Sequence, residues 1–477
     1  MSEGASQSEI AEGGSIVRAS QLDNSQKLFD ASSIVYNQLQ PNTYGQAIVI
    51  NNSNAQTTIN VPSEVFNIGD SVISGSISIP APTAGNYIWY YADQAAEIQH
   101  IQYFSQSNQM ICDLDYMGNY YHVVNKKETS LSDYLTYDPL NRFSPSNCLV
   151  NTVPALRNSI AGGVSSNIPS PSSVNFTEPA YFQVGALGAA VTYPFQLPLR
   201  YFKNTFLEVQ KSIYMPNISY MKIFFSQVQK VCYMSTSNAS PSAGTPVAWA
   251  PLTGGNNVTV ANLSLFLAVE TNKNVRAEKM AEVMRPGGMK MFIPFTMCYR
   301  NSNTGTIQNI NIPIDSGSGR SIRKIIHTIY NGTEQCDTAY DCSNIANGNA
   351  QNPQKALVFY TSYNSTRIQN LNIDTTAATG TFLDYLLQKR NLKGSVLQNY
   401  NSYGYNWYWE DDFSGVGSKY TQDNNNELVS GIPLSGIPVT WTFQGVTMAA
   451  TNNSYVHYTY VTFTKELTIT PQLVEVH

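Results

Sequence analysis

The residues best suited to chemistry lie in the segment NWYWEDDFSG, residues 406–415. Trp407 and Trp409 offer the flat aromatic surfaces on which a sugar ring stacks. If the segment is a strand, Glu410 and Asp412 share one face about 7 Å apart, which is within the rough range for the carboxylates of an inverting glycosidase. These four residues define one hypothesis, a β-sandwich that binds glycans or hydrolyses glycosides.

The same segment also has a structural interpretation, an aromatic strand end whose acidic residues cap a turn. Neighbouring carboxylates on one strand rarely approach a substrate from opposite sides, as the inverting mechanism requires. We therefore favour the structural interpretation and predict no catalytic residue.

Other patterns typical of catalysis or of metal and cofactor binding are missing from the sequence. The glycine-rich segment GSGRSIRK, residues 317–324, lacks the Gly-Lys-Ser/Thr ending of a phosphate-binding loop, and there is no G-x-S-x-G elbow. The histidines share no metal-ligand spacing and are expected in structural or surface roles: His100, His122, His327, His457 and His477. We expect a non-enzymatic protein with no cofactor-binding or metal-binding residues and no cofactor.

The cysteines also lack the spacing of a metal site. Cys112, Cys148, Cys232 and Cys298 stand far apart, and no C-x-x-C pair occurs. Cys336 and Cys342 flank a short loop, and a disulfide between them is one of the two interpretations. Isolated buried thiols are the favoured interpretation.

Composition indicates a large β-rich protein of two or three domains. Among 477 residues, 42% are hydrophobic and only 12% are charged, with 27 basic and 32 acidic residues giving a net charge of −5. The uncharged polar residues suit strands and their connections. No concentrated basic patch indicates a sequence-specific nucleic-acid partner.

Targeting signals are not apparent in the sequence. The polar N-terminus MSEGASQSEIAEGG differs from a signal peptide, and no apolar run approaches the roughly 18 residues of a transmembrane helix. We expect a soluble protein made in the cytosol.

Alternating apolar residues predict strands along most of the chain after an N-terminal arm. The clearest sets are Ile73, Ile77 and Ile79; Leu263, Leu265, Leu267 and Val269; Val456, Tyr458 and Tyr460; and Leu467 and Ile469.

Two segments have helical spacing instead. Beginning at Pro198, apolar residues recur at intervals of three and four and predict a helix that Pro216 ends: Leu199, Phe202, Phe206, Val209 and Ile213. The segment VRAEKMAEVM, residues 275–284, predicts a short helix with Met280 and Met284 on one side, ended by Pro286. We place the domain junction at this second helix.

The segment YIWYYADQAAEIQHI, residues 87–101, recurs 270 residues later. The shift aligns Ile88, Trp89 and Tyr90 with Val358, Phe359 and Tyr360, and Ile98, Gln99 and Ile101 with Ile368, Gln369 and Leu371. After a one-residue slip, LDYM (114–117) aligns with LDYL (383–386). Matching apolar spacing in two halves indicates one unit built twice, and the strand content predicts two tandem antiparallel sandwiches.

Three further segments resemble the double jelly-roll major capsid proteins of DNA viruses, of the Polinton-like virus, adintovirus and virophage type. They are ICDLDYMGNYYHVVNKKET (111–129), RKIIHTIYNGTEQCDTAYDCSN (323–344) and LLQKRNLKGSVLQNYNSYGYNWYWEDDFSG (386–415). The likeness extends over most of residues 30–477, including the helix expected at Pro198 and the linker at Arg276.

The resemblance implies an all-β fold of two tandem eight-stranded antiparallel jelly rolls with a few short helices. The implied division is an N-terminal arm at residues 1–40, a first jelly roll at 41–275, a linker helix and turn at 276–288 and a second jelly roll at 289–477.

The resemblance also implies a structural role in the virion capsid, after synthesis in the host cytoplasm. Three subunits would form a pseudo-hexagonal homotrimer that tiles an icosahedral shell and contacts neighbouring capsomers, penton and minor capsid proteins. The arm would lie beneath the trimer, and the loops at 161–175 and 235–257 would form its outer surface. Whether an internal membrane lies beneath the shell stays open.

Two alternatives to the capsid hypothesis are kept. One is the glycan-binding or glycoside-hydrolase sandwich of Trp407, Trp409, Glu410 and Asp412. The other is a viral spike or penton protein, against which the apparent duplication counts because such a protein usually needs one barrel.

Overall fold

The computed structural model describes residues 33–50, 55–81, 87–91, 98–117, 120, 181–184, 190–225, 232–235, 257–304, 309–315, 319–331, 357–369, 371–374, 408–413, 431–434, 438–448 and 454–477. Strands dominate this part of the chain, accompanied by one α-helix and two short 3-10 turns.

The strands of the first half are β1 (Ile34–Leu39), β2 (Ile48–Ile50), β3 (Gln56–Val61), β4 (Val65–Ile79), β5 (Tyr87–Tyr91), β6 (Ile98–Phe104), β7 (Met110–Leu114), β8 (Tyr181–Val184), β9 (Val191–Pro198), β10 (Ser212–Tyr214), β11 (Ser219–Phe225), β12 (Cys232–Ser235) and β13 (Val258–Glu270). The helix α1 (Lys273–Met284) follows them.

The strands of the second half are β14 (Met289–Thr304), β15 (Ile310–Ile314), β16 (Ser321–Asn331), β17 (Leu357–Tyr363), β18 (Thr366–Arg367), β19 (Ile373–Asp374), β20 (Tyr408–Asp412), β21 (Ile432–Pro433), β22 (Val439–Met448), β23 (Ser454–Ile469) and β24 (Val474–Val476).

Strand pairing in the first half reduces its strands to eight positions in two facing sheets. One sheet runs β1-β13-β4-β10, with β2 also on β13 and β9 also on β4. The other runs β3-β11-β6-β7, and β12-β5-β8 continues the same order beyond it. Numbered along the chain, the eight positions are β1 with β2, β3, β4, β5 with β6, β7 with β8, β9 with β10, β11 with β12, and β13. These positions lie in the orders 1-8-3-6 and 2-7-4-5, and every pair is antiparallel. This arrangement of eight antiparallel strands in two sheets is a jelly roll.

The second half repeats both orders. One sheet runs β14-β23-β16-β20 and the other β15-β22-β17-β18, with β19 also paired to β17. These are again positions 1-8-3-6 and 2-7-4-5. The prediction of an all-β chain with two tandem antiparallel jelly rolls is confirmed. We call them the first and second barrel.

Alternation in the sequence produces the core of each barrel. In β4, Ile73, Ile77 and Ile79 are fully buried, and the serines between them lie on the half-buried outer face. In β13, Leu265 and Leu267 are likewise fully buried. A strand with one buried face has this period of two, so the strand predictions at these positions are confirmed.

The helix predicted from Pro198 is wrong. Pro198 ends β9 with extended dihedrals, and the chain continues as two 3-10 turns, Leu199–Tyr201 and Phe206–Glu208. Between them Asn204 has a φ of 59°, which no α-helix accommodates. The apolar residues that suggested a helix are nevertheless buried, because a chain with tight turns also brings residues three and four apart to one side.

The helix predicted before Pro286 is confirmed as α1. It begins two residues earlier than expected, where the Asn272 side chain accepts a hydrogen bond from the Asn274 N–H at 2.9 Å. Val283 is its one buried residue, whereas Met284 is 58% exposed. No helix among the described residues is long and apolar enough to cross a membrane.

The internal repeat is confirmed at one strand and wrong beyond it. β5 and β17 both occupy the fourth position of their barrels, as the 270-residue shift requires. Past that strand the alignment fails, because Ile101 is fully buried in β6 whereas Leu371 is 65% exposed between β18 and β19. Residues 383–386, aligned with LDYM, lie outside the described residues.

The start of the first barrel lies earlier than the predicted arm boundary at residue 40. Ile34–Leu39 form β1 and pair with β13 from Ile34↔Glu270 to Leu39↔Leu265. The other domain boundaries stay predictions.

Candidate functional site: the contact between the two barrels

The glycan-binding hypothesis depends on side chains that the structure places in the core. Trp409 is 1% exposed and packs edge-on against Phe359, with ring centroids 5.1 Å apart. An indole in this position has no free face for a sugar ring. Trp407 lies outside the described residues.

The acidic residue with the most buried position in this strand is Asp411, which sequence reasoning missed. Its carboxylate accepts hydrogen bonds from Trp409 Nε1 at 3.1 Å, Thr361 Oγ1 at 2.8 Å and Gln369 Nε2 at 3.0 Å. Thr361 belongs to β17 of the facing sheet, so the carboxylate ties the two sheets together across the core. Three donors satisfy a buried carboxylate and fix its position.

Glu410 and Asp412 lie on the opposite face of β20 from Trp409 and Asp411. Glu410 is 8% exposed and pairs across strands with Ile326. The tryptophan and the acidic pair therefore do not converge on one surface, and the glycoside-hydrolase alternative is not favoured.

The histidines take structural positions in the described part of the chain. His327 Nδ1 lies 3.1 Å from His457 Nε2 inside the second barrel, and Trp441 Nε1 donates to His327 Nε2 at 2.8 Å. Burial, reinforced by His457, lowers the pKa of His327 well below its usual range, and burial lowers the pKa of His457 to about 3. Both rings are therefore neutral at physiological pH.

No group of three His, Cys, Asp or Glu side chains within the described ranges has a metal-binding arrangement. Cys112 and Cys298 are free thiols, and burial raises the pKa of both. His122, Cys148, Cys336 and Cys342 lie outside the described residues, so the question of a disulfide stays open.

The two barrels share an extensive contact that was not predicted from the sequence. β7 of the first barrel lies against β14 of the second. Beyond β7, Tyr116 packs on Tyr458 with ring centroids 4.8 Å apart, and Tyr120 packs on Tyr460 at 4.9 Å. Tyr458 and Tyr460 are 8% and 0% exposed, although they point away from the core of their own barrel. The first barrel is therefore what buries them.

Hydrogen bonds satisfy the polar groups of this contact. The Thr296 hydroxyl on β14 donates to the Asn204 carbonyl of the first barrel at 2.7 Å, and Tyr460 Oη donates to the Tyr116 carbonyl at 3.0 Å. Asn204 Nδ2 donates to Tyr120 Oη at 2.7 Å. Buried polar groups that are paired in this way specify one relative placement of two surfaces.

Charged groups lie at both ends of the contact. The Arg300 guanidinium lies 5.9 Å from the Tyr116 ring centroid, and the Lys465 ammonium lies 3.8 Å from that of Phe295. Burial lowers the pKa of Lys465, and the carboxylate of Asp113 on β7 opposes this effect. Burial alone would raise the pKa of Asp113, but hydrogen bonds from His100 and Gln102 and the charges of His100 and Lys465 lower it overall.

One sequence signal for this contact was available. Tyr458 and Tyr460 were predicted to share a face of one strand, and they do. The alternate residues His457 and Thr459 point into the barrel, where the His457 ring lies 5.2 Å from that of Phe443. A strand that places tyrosines outside and polar residues inside has a second buried face.

Comparison with known proteins gives matches in structure only. No protein-family model and no curated protein sequence matches the chain. A chain of the Sputnik virophage, determined by cryo-EM, superposes with a TM-score of 0.51 at 10% identity, over 93% of this chain and 88% of that one. A chain of the PBCV-1 virus capsid superposes with a TM-score of 0.50 at 10% identity, over 94% of this chain and 97% of that one. The protein has the double jelly-roll fold.

A third structure, the mavirus major capsid protein, matches with a TM-score of 0.47 at 9% identity, over 93% of this chain and 90% of that one. The superpositions on the Sputnik and PBCV-1 chains cover both barrels of the double jelly roll, so the likeness includes their placement side by side. At 10% identity the likeness establishes the fold.

Proposed function

We propose that this double jelly-roll protein is the major capsid protein of an icosahedral DNA virus. The observation that carries the proposal is the repetition of one strand order, 1-8-3-6 and 2-7-4-5, in two barrels of a single chain. The buried contact between the barrels holds them side by side as one building block.

The proposed assembly is a homotrimer of pseudo-hexagonal outline. Two equivalent barrels in each of three chains give six similar edges, and a six-sided block tiles a surface. The low share of charged residues, 12%, suits a protein with large subunit contacts, because burying unpaired charge is costly. Neighbouring capsomers, penton proteins and minor capsid proteins are its proposed partners, and the virion is its proposed location.

The two ends of the first barrel differ in a way that supports an inside and an outside. Strand pairing places the ends of β4, β8 and β12 and the starts of β5, β9 and β13 at one end. The longer connections leave from that end, at residues 80–86, 185–190 and 236–257, whereas residues 115–180 come between β7 and β8 within the fifth strand position. The other end has short connections at 62–64, 105–109 and 215–218. The loop-rich end is the proposed outer surface.

The N-terminal arm enters at the short-loop end. Ile34 pairs with Glu270 at the end of β13, and the Ser33 N–H donates to the Glu270 carboxylate at 2.8 Å. Ser33 therefore lies on the proposed inner side, and the N-terminal residues before it are proposed to contact neighbouring capsomers or minor capsid proteins.

Mass measurement of the purified protein tests this function. Size-exclusion chromatography with light scattering should give about 160 kDa, three chains of 52.7 kDa each, and negative-stain images should show hexagonal particles. A monomer whose melting temperature rises with added glycans would overturn the proposal in favour of the glycan-binding alternative.

A further inference from the structure

The short-loop end of the first barrel and the C-terminal strands of the second enclose a cleft of about 450 Å³. The first barrel contributes Ser105 from the turn after β6, and Met215 and Ser219 from around the connection between β10 and β11. The second barrel contributes Pro471 from the turn after β23 and Val474 from β24. The described side chains that line the cleft are uncharged, so it suits a peptide segment better than an ion.

The strand β24, which borders this cleft, has one open edge. Its strand partner in the described part of the chain is β23, on one side only. The His477 N–H donates to the Glu466 carbonyl at 2.9 Å, and Glu475, two residues earlier, faces β23 in the same way. The backbone N–H and C=O groups of Val474 and Val476 therefore point away from β23, and Val474 also lines the cleft.

Large apolar side chains are exposed beside the cleft and the open edge. Ile218 is 56% exposed in the connection between β10 and β11, and Leu473 is 39% exposed directly before β24. Exposed apolar groups beside an open strand edge form the kind of surface to which an extended peptide adds as a further strand. The side chains of β24 would select that peptide, because Glu475 carries a negative charge between two valines and is 46% exposed.

The N-terminal sequence contains a segment that complements this pattern. In SIVRAS, residues 15–20, Arg18 has apolar neighbours on both sides. If Arg18 lies opposite Glu475 in an antiparallel pair, Val17 lies opposite Val476, and the apolar neighbours on the other side also face each other. Opposite charges and apolar side chains at directly opposed positions stabilise a sheet.

The described chain begins near enough for its own N-terminal segment to reach the cleft. The Ser33 N–H donates to the Glu270 carboxylate at the short-loop end, and α1, which follows, packs against β10. Met215, which lines the cleft, is the residue directly after β10. The chain from Arg18 to Ser33 spans up to about 50 Å when extended, whereas α1 is about 18 Å long.

We propose that residues 15–20 bind the open edge of β24 in the same chain as an additional antiparallel strand, over the cleft between the two barrels. This pairing goes beyond the proposed capsid function and does not depend on it, because it takes place within one chain. It links the N-terminal segment to the second barrel, although Ser33 is bound to the first. Residues 1–14 then start from the junction of the barrels on the proposed inner side.

A cysteine pair in the full chain tests this pairing. Val17→Cys with Val476→Cys places two thiols at opposed positions, and a glutathione redox buffer converts the fraction of disulfide into an effective concentration. We expect a disulfide that peptide mass spectrometry maps to these two positions, in a chain that migrates at 52.7 kDa in a non-reducing denaturing gel. Val17→Cys with Leu371→Cys is the matched control, since Leu371 is 65% exposed elsewhere on the second barrel, and this pair should stay reduced.

Charge reversal tests the register of the two strands. Arg18→Glu or Glu475→Arg, added singly to the cysteine pair, leaves like charges opposite each other and should lower the effective concentration about tenfold. The two reversals together should restore it, because opposite charges then face each other again. Glu278→Arg is the control, a reversal at an acidic side chain of α1 that is 61% exposed, and it should leave the effective concentration unchanged.

The outcomes separate this pairing from the proposed function. A disulfide no more frequent than in the Leu371→Cys control, or charge reversals without effect, would overturn the pairing. A product of about 105 kDa, two chains of 52.7 kDa, would show that a second copy supplies the segment, and the pairing within one chain would be wrong. A trimer without the disulfide leaves the capsid proposal standing, whereas a monomer with the disulfide supports the pairing while the capsid proposal fails.

Discussion

Acidification below about pH 6.5 should destabilise the second barrel through its buried histidine pair. His327 and His457 are 0% and 1% exposed. Trp441 donates to His327 Nε2, so the proton of the neutral His327 ring is on Nδ1, which faces Nε2 of His457. A proton added to either ring would place an additional charge in the barrel core.

The magnitude follows from the pKa of His457. Burial lowers this pKa to about 3, whereas an unfolded histidine titrates near about 6.5. Between these pH values the unfolded chain binds a proton that the folded chain does not, so the free energy of unfolding falls as the pH falls. Each pH unit costs about 1.4 kcal/mol, which gives about 2.7 kcal/mol between pH 7.5 and 4.5 for His457 alone. His327, whose pKa is also lowered, adds a loss of the same sign.

The assay compares urea unfolding at pH 7.5 and 4.5 for the wild type and His457→Gln. Glutamine keeps an acceptor for the His327 N–H but does not titrate, and the contribution of the carboxylates is common to both proteins. The loss of unfolding free energy on acidification should be smaller in the variant by about 2.7 kcal/mol. His477→Gln replaces an exposed histidine at the C-terminus and serves as the control. Equal losses in the wild type and His457→Gln would show that His457 does not contribute to the acid sensitivity of the second barrel.

Three further perturbations test the packing. Trp409→Ala should lower the unfolding free energy by about 3–5 kcal/mol through a core cavity, with a smaller loss in Trp409→Phe; equal losses measured in urea would show that volume is not the cause. Thr296→Val leaves the Asn204 carbonyl without its donor across the barrel contact and should cost about 1–3 kcal/mol, while an unchanged melting temperature would contradict this role. Gly288 and Gly287 have φ angles of 69° and 88°, but a Cβ at Gly288 collides with a backbone carbonyl of β23 and one at Gly287 meets open space. Both alanine substitutions carry the penalty of about 1–2 kcal/mol that a left-handed backbone imposes on a residue with a Cβ. Because of the additional collision, Gly288→Ala should lower the melting temperature more than Gly287→Ala. The reverse order would contradict this prediction.

The strands could be predicted from the sequence because one buried face imposes a period of two. Ile73, Ile77 and Ile79 in β4 follow it without interruption, and the bulge in β13 at Asn262, with a φ of 53°, does not hide the alternating leucines. The duplicated fold was also accessible, since β5 and β17 keep their register in the sequence.

The errors have local physical causes. The apolar residues after Pro198 have helical spacing, but turns around Asn204 satisfy the same spacing. The role of Asp411 was hidden because its donors, Thr361 and Gln369, come from a distant part of the chain. A single sequence does not indicate which polar residues meet across a core.

The contact between the barrels was missed for a related reason. Tyr458 and Tyr460 were recognised as one face of a strand, but periodicity does not state whether the partner is the strand's own core or a second domain. Only the pairing of β23 inside its sheet shows that these tyrosines point to the neighbouring barrel.

A cryo-EM reconstruction of the purified protein, calculated without imposed symmetry, would show directly how many barrels its assembly contains and how they are arranged. The proposed capsid function predicts a three-fold particle of six barrels, two from each chain. A particle with two barrels, or a two-fold dimer with four, would contradict it.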